Sequence, residues 1–282
     1  MPTLKIDDDL GRTLLFGRPP RRIVSLVPSD TYSVIALGAG DRLVGRTSYC
    51  EHGDGATIVG GTKDADPDQI LALEPDLVIA NQEENSRKPL EALAGKVPVL
   101  VSLPRTVEQG IAHLARLARI LETGAELVRR GYALEPAEPR RASVFAPIWM
   151  DPLMTINGDT FGSDVLARAG LTNVFGERLR LYPLAADLGK GDVVEATGRD
   201  VRYPRLSLGE LAARAPGIDA IVLPDEPHAF SSEDEAVLLA AVPAARVVRT
   251  SGKDLFWYGA WSIDAMPRVR ALAETIATVE AS

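Results

Sequence analysis

The amino-acid sequence predicts an α/β protein made of two related lobes with one long helix between them. Short apolar runs of strand length alternate with helical patterns throughout its 282 residues. One helix–turn–strand design occurs twice. Ile70-Leu71-Ala72-Leu73-Glu74 leads through Pro75-Asp76 into Leu77-Val78-Ile79-Ala80, and Leu211-Ala212-Ala213-Arg214-Ala215 leads through Pro216-Gly217-Ile218-Asp219 into Ala220-Ile221-Val222-Leu223. Such units are what a parallel sheet requires. Between them lies the longest helical pattern of the chain, Val107 to about Tyr132.

The elements follow in order. Leu4-Lys5-Ile6, a turn from Asp7 to Gly11, and Thr13-Leu14-Leu15-Phe16 read as a hairpin. Ile23-Val24-Ser25-Leu26-Val27 suits a buried strand. Pro28-Ser29 ends it and opens a helix from Asp30 to Leu37, with Ser29 as N-cap and Tyr32 where a capping box would place Glu. Gly38 and Gly40 close that helix. The central helix carries Ile111, Leu114, Leu117, Ile120, Leu121 and Leu127 at helical spacing, with Gly124 as a weak point costing about 1 kcal/mol relative to alanine. Pro136-Ala137-Glu138-Pro139 breaks it, and Ala142-Ser143-Val144-Phe145-Ala146 starts a new strand. The expected division is a first lobe over 1–105, a stiff linking helix over 106–135 and a second lobe over 136–282.

Composition narrows the function. A formal net charge of −8 repels phosphate backbones and argues against nucleic acid as a partner. One cysteine, Cys50, allows no intramolecular disulfide, and with three histidines and no CxxC pair neither a zinc finger nor a thioredoxin-type site is expected. No apolar run approaches the ~20 residues of a membrane span. Met1 to Asp9 contains no apolar core of the kind a secretory signal needs. This leaves a cytoplasmic protein, or an exported one whose signal is absent from this sequence, as alternatives.

Arg22-Ile23-Val24-Ser25-Leu26-Val27-Pro28-Ser29, Leu37-Gly38-Ala39-Gly40-Asp41-Arg42-Leu43-Val44-Gly45 with Tyr49-Cys50, Val59-Gly60-Gly61-Thr62, and the stretch from Ile70 to Ala80 form a recognisable series. Together they resemble the cobalamin- and ferric-siderophore-binding proteins of bacterial ABC importers, the helical-backbone or class III substrate-binding proteins. Asp151-Pro152-Leu153-Met154, Gly158-Asp159-Thr160-Phe161 and Ala169-Gly170 to Asn173-Val174-Phe175 continue the likeness. Gly252-Lys253-Asp254-Leu255-Phe256-Trp257-Tyr258-Gly259 resembles the subgroup called helical-backbone metal receptors. The likeness runs from roughly Asp9 to Leu272. It implies two Rossmann-like lobes around a ligand cleft, joined by a single backbone helix, with a modest opening motion. It further implies a monomeric, periplasmic or extracytoplasmic protein that captures cobalamin, a related corrinoid, a ferric siderophore or a haem-type chelate and delivers it to a membrane permease. No cofactor beyond that ligand is implied. The sequence departs from the family at Tyr32, where Glu is usual, and in the stretch Leu184 to Val201, which is longer and richer in Gly and Asp.

Ligands of open α/β lobes bind at the carboxyl ends of strands, which points to Pro28-Ser29-Asp30, Asn81-Gln82, Trp149-Met150-Asp151 and the loop after Val248. Ser29 at a helix N-terminus offers backbone N–H groups to an anionic or carbonyl atom, or is a plain N-cap. Tyr32, Tyr49, Trp149, Trp257 and Tyr258 are the aromatic candidates for holding a planar ligand. Core packing is the competing role, foremost for Trp149 and Trp261. Tyr49 and Trp257 are expected to line the ligand from opposite lobes. Cys50, His52 and His228 are candidate metal ligands by chemistry, set against a structural role for each. In the resembled importers one surface glutamate on each lobe meets arginines of the permease; Glu83 or Glu84 and Glu226 match those places, against solvated charge as the alternative.

Catalysis is not expected. Asp151, Asp159, Asp225 and Glu226 offer carboxylates, but no nucleophile elbow, Walker loop or dinucleotide fingerprint occurs. Gly38-Ala39-Gly40 sits at a helix end, the wrong place for phosphate. A cytoplasmic ligand carrier or sensor of the same fold is the remaining alternative.

Overall fold

The N-terminal hairpin forms as expected in the computed structural model, which describes residues 3–278. Strands β1 (Leu4–Asp7) and β2 (Thr13–Phe16) pair antiparallel, with Leu4 opposite Phe16. Asp8 ties the turn by accepting the backbone N–H groups of Leu10 and Arg12 at 3.0 and 2.9 Å. The chain divides into two compact units, one running to Leu134 and regaining Trp257–Ile263, the other formed by Glu135–Phe256 and the residues from Asp264 on. The outer limits of the expected lobes, residues 1 and 282, lie outside the described residues.

The first unit then builds β3 (Ile23–Ser25), α1 (Pro28–Ala36), β4 (Leu43–Arg46), β5 (Thr57–Ile58), α2 (Pro67–Ala72), β6 (Leu77–Asn81), α3 (Arg87–Leu93), β7 (Val99–Ser102), α4 (Val107–Leu121) and α5 (Ala125–Tyr132). Five parallel strands lie in the order β5-β4-β3-β6-β7. The order reverses between β3 and β6, so a crevice opens at their carboxyl ends. Ile23, Leu26, Ile70, Leu77, Ile79, Leu93 and Leu100 are fully buried around this sheet.

In the second unit β8 (Ala142–Phe145), the hairpin β9 (Pro147–Met150) and β10 (Leu153–Thr155), α6 (Phe161–Arg168) and β11 (Leu171–Asn173) come first. They are followed by α7 (Leu184–Asp187), α8 (Leu208–Arg214), β12 (Ala220–Pro224), α9 (Ser232–Ala241), β13 (Arg246–Thr250), α10 (Gly252–Phe256) and α11 (Ala260–Ala277), whose first four residues are those regained by the first unit. Four parallel strands run β11-β8-β12-β13, again reversing at the second-formed neighbour, between β8 and β12. Phe145 and Phe175 meet edge-on at 5.4 Å in the core, both fully buried.

The helix–turn–strand duplication seen in the sequence is repeated down to single hydrogen bonds. Asp66 caps α2 by accepting from Asp68 and Gln69, and Ser207 caps α8 by accepting from Glu210. Just before β6, Asp76 donates its N–H to the Arg22 carbonyl at 2.9 Å and accepts the Arg22 N–H on its carboxylate at 2.8 Å. Just before β12, Asp219 makes the same pair with Ser143, at 2.9 and 2.6 Å. Each aspartate therefore sets the register of one central strand pair, at the residue preceding Ile23↔Leu77 and Val144↔Ala220.

Two expectations about helices need correction. The first helix starts at Pro28 with Val27 as its cap position, so Ser29 lies inside its first turn rather than at the N-cap. Proline at the first helical position has φ already set and lacks only an N–H that would be orphaned there. The helix expected from Val107 to Tyr132 is two, because Glu122 (φ 53°) and Gly124 (φ 78°) adopt left-handed backbone. Thr123 Oγ donates to the Leu37 carbonyl at 3.0 Å at this break. Both helices belong to the first unit. The apolar face was read correctly: Ile111, Leu114, Leu117, Ile120 and Leu121 are all buried.

Helix α4 is fastened to the turn of the hairpin through a carboxylate. Asp9 accepts from Arg116 at 2.6 Å and from the Leu103 N–H at 2.7 Å. Burial raises its pKa, but the Arg116 guanidinium and the Leu103 N–H outweigh this and hold it below the usual carboxylate range. A depressed folded-state pKa gives stability that is present above the unfolded value of about 3.9 and lost as pH falls through the folded one. Asp9→Asn is expected to melt earlier than the parent at pH 7, with the gap closing as pH falls toward ~3. Equal gaps at both pH values in thermal melts would contradict this. Among the described residues no helix is long and apolar enough to cross a membrane.

Candidate functional site

The crevice between β3 and β6 in the first unit is where the sequence placed most of its candidates, and the structure sorts them into two groups. One group is buried. Asp30, on the first turn of α1, has no exposure. Its Oδ1 lies 2.9 Å from His113 Nε2 on α4, and its Oδ2 accepts the Tyr258 hydroxyl at 2.9 Å. Asn81, at the end of β6, donates from Nδ2 to the Tyr258 oxygen at 3.2 Å, and Ser102 Oγ, at the end of β7, lies 2.9 Å from the same atom. Burial, and next the negative charges of Asp30 and Glu84, push the Tyr258 phenol well above its ordinary pKa. It stays protonated and donates. Asp30, Asn81 and Tyr258 are thus joined to one another, where the sequence reading set them against ligand. Ser29 is also buried, with an Oγ that has no hydrogen-bond partner.

The second group forms a wall of rings. His52 lies 5.3 Å from Tyr32, Tyr32 meets Trp261 edge-on at 5.0 Å, and Trp261 meets Trp257 at 5.2 Å. His52, Tyr32 and Trp261 are half-buried, and Trp257 is buried at 8% exposure. Tilted and edge-to-face contacts at these spacings hold each ring in place. Tyr49, in the loop after β4, is 66% exposed and lies over Gly61, where an added Cβ would sit 3.1 Å from its ring. Tyr49 and Trp257 do not belong to different units. The segment Trp257–Ile263 groups with the first, so both rings are carried there. Trp261, which the sequence assigned to core packing, is the middle of the row.

Cys50 and His52 do not converge on a common point. The Cys50 sulfur is buried against the hydroxyls of Thr31 and Thr47, at 3.1 and 3.2 Å, while the His52 ring turns to Tyr32. His228 belongs to the second unit. Among the described residues no group of three or more His, Cys, Asp or Glu side chains is arranged to hold a metal ion.

The second unit has a smaller aromatic group. Trp149, on β9, is 43% exposed rather than packed in the core, because its Nε1 donates to the Asp151 carbonyl across the β9–β10 turn and holds it at the surface. Asp151 itself is exposed. His228 lies 5.1 Å from Trp149 and 4.7 Å from Phe230, with Nε2 3.4 Å from Asp234. Glu226 follows β12, and Gly252 packs so closely on it that a Cβ would fall 2.4 Å from the Glu226 carbonyl oxygen. In the first unit Glu83 and Glu84 occupy the turn after β6, their N–H groups donating to Asn81 Oδ1 at 2.8 and 3.2 Å. Each glutamate therefore sits in a turn that a fixed side chain or backbone defines.

His113, Ser102 and Phe230 were not singled out in the sequence. His113 carried no signal, because its partner lies 83 residues away. Trp261 did carry one, since it stands only four positions after Trp257.

Comparison with known proteins agrees with this architecture. Residues 23–130 match the periplasmic binding protein family. The vitamin B12-binding protein of Yersinia pestis (strain Pestoides F) is 30% identical over 179 residues, which are 57% of this chain and 62% of that protein. The chain thus spans 62% of the length of the curated relatives it matches. The periplasmic vitamin B12 binding protein of Vibrio cholerae superposes with a TM-score of 0.68 at 20% identity, covering 92% of this chain and 99% of that one. A periplasmic heme binding protein from Pseudomonas aeruginosa gives 0.66 at 22% identity, covering 92% and 94%. With its two parallel sheets and this likeness along nearly its whole length, the chain has the helical-backbone fold of the periplasmic binding proteins it resembles.

Proposed function

We propose that this protein is the extracytoplasmic, monomeric substrate-binding subunit of an ABC importer, capturing cobalamin, a related corrinoid or a haem- or siderophore-type iron chelate. The observation that carries the reading is the row His52–Tyr32–Trp261–Trp257 at the carboxyl edge of the first sheet, with Tyr49 exposed beside it. A planar chelate is held by stacking and apolar contact, with few polar groups needed to orient it. The relatives named for vitamin B12 and heme support the ligand class. The Trp149–His228–Phe230 group of the second unit is a second aromatic surface of the same kind. The site works by binding, and it needs no cofactor besides its cargo.

Glu83, Glu84 and Glu226 are proposed to meet the permease. Charge reversal at Glu84 and Glu226 would then abolish uptake by cells and leave ligand affinity unchanged; lost affinity would place them at the ligand instead.

Thermal melts with cyanocobalamin, haemin, a ferric hydroxamate and a ferric catecholate test the ligand class. One of the four, at a hundred times its dissociation constant, stabilises by about 2.7 kcal/mol. Unshifted melts with all four at millimolar concentration would overturn the reading.

A further inference from the structure

We propose that Asp30 and Tyr258 are positioning residues, forming a latch that holds the segment Trp257–Ile263 on the first unit and so fixes the geometry of the aromatic row. The inference rests on the row being the ligand wall proposed above.

Two of the row's four rings, Trp257 and Trp261, come from this late segment; the other two, Tyr32 and His52, come from the first 60 residues of the chain. The row exists only while the segment is docked. Its docking contacts include specific hydrogen bonds. Tyr258 enters between the ends of β6 and β7 and reaches Asp30, Asn81 and Ser102 with a single oxygen. Ala260 donates its N–H to Ser33 Oγ at 3.1 Å. Gly259 lies so close to the same serine that a Cβ would be 2.6 Å from its Oγ, and its φ of 77° is one that side-chain-bearing residues avoid. Ser33 Oγ in turn donates to the Ser29 carbonyl at 2.9 Å, so α1 presents both anchors, Asp30 and Ser33, one turn apart.

Asp30 is the hub, since one carboxylate oxygen faces α4 through His113 and the other holds the segment through Tyr258. Both side chains of the Asp30–His113 pair are at most 1% exposed. His113 Nδ1 is buried with no hydrogen-bond partner. A buried ionisable pair with an orphan nitrogen is a poor source of stability compared with apolar residues of the same volume; its best-attested use is to specify one arrangement among several. Here the arrangement specified is the placement of Tyr258, and with it the tryptophans on either side. The same geometry explains why Asp30 and Tyr258 sit at ligand-site positions in the chain without facing outward.

The test uses three single variants of the full chain in a Trp149→Phe background, so that Trp257 and Trp261 are the only tryptophans. Tyr258→Phe removes the hydroxyl and keeps the ring. Asp30→Asn keeps the shape and removes the charge. Gly259→Ala displaces the segment at Ser33 and leaves the Asp30–His113 pair untouched. Each is measured without ligand by tryptophan emission and by amide exchange, and with cyanocobalamin and haemin by calorimetry. The latch predicts red-shifted emission and at least tenfold faster exchange confined to residues 257–263 in all three, with β6 and β7 unchanged. It also predicts at least tenfold weaker binding of whichever probe the parent binds. Unchanged exchange in 257–263 overturns the latch, as does acceleration spread evenly over the first unit. Binding of neither probe by the parent counts against the ligand reading alone, since the exchange result still decides the latch. Local exchange that rises while affinity stays constant overturns the positioning role.

Discussion

Trp261→Ala weakens ligand binding by on the order of tenfold to a hundredfold, about 1.4–2.8 kcal/mol. Trp261 stands inside the row and touches two other rings, Tyr32 at 5.0 Å and Trp257 at 5.2 Å. Removing it deletes its own contact area and unseats both neighbours, each losing an edge-to-face partner. A tryptophan in a well-packed, largely desolvated position is the usual carrier of binding energy, whereas exposed rings at a rim contribute little. Tyr132→Ala serves as the control, because Tyr132 is an exposed ring on α5 outside the row, at 61% exposure. Isothermal calorimetry on the two variants and the parent decides the matter. Equal affinities for the Trp261 variant and the parent would remove the row from the site.

Gly124→Ala destabilises the fold by about 2–5 kcal/mol, adding the cost of left-handed backbone in an L-residue to that of overpacking. Sequence alone predicts the opposite sign. Read as a glycine inside a long helix, Gly124 would gain about 1 kcal/mol on becoming alanine. The structure reverses this because the helix ends at Leu121 and Gly124 has φ 78°. An added Cβ would lie 2.2 Å from Leu37 Cδ2 and 3.1 Å from the Leu37 Cα. The leucine tip can swing away, but the backbone of α1's last turn cannot. Gly17→Ala is the matched control, since nothing lies within 4 Å of a Cβ there and its φ is not positive. Denaturant midpoints of both variants separate the two readings, and stabilisation by Gly124→Ala would restore the single long helix.

Much of the fold was legible because its signals are local. A run such as Leu77–Asn81, entered through Pro75-Asp76, declares a buried parallel strand by composition and by the turn before it. The second copy at Ala220–Pro224 made two related sheets the natural reading, and the matching bonds of Asp76 and Asp219 bear it out. The break at Glu122–Gly124 was hidden because its cause, the end of α1, lies more than 80 residues away in the chain. The candidate site was legible in its residues, and the directions of their side chains were not. Asp30, Tyr258, Tyr32 and Trp257 were all named, yet which of them face inward depends on His113, Ser102 and Ser33, reached only through tertiary contact. Periodicity told inside from outside along the helices. It had no means of telling that the Trp257–Ile263 segment groups with the first unit while the residues on either side of it group with the second.

The central claim, that the row built from Tyr32, Trp261 and Trp257 is where ligand rests, is tested most directly by tryptophan quenching in the Trp149→Phe protein. Cyanocobalamin and haemin both absorb strongly in the near ultraviolet and visible range and quench a tryptophan they touch. Titration with the probe that shifts the melt is expected to quench the emission of Trp257 and Trp261 saturably, with a midpoint equal to the calorimetric dissociation constant. Calorimetric binding that reaches saturation while that emission stays at its ligand-free intensity would contradict the account.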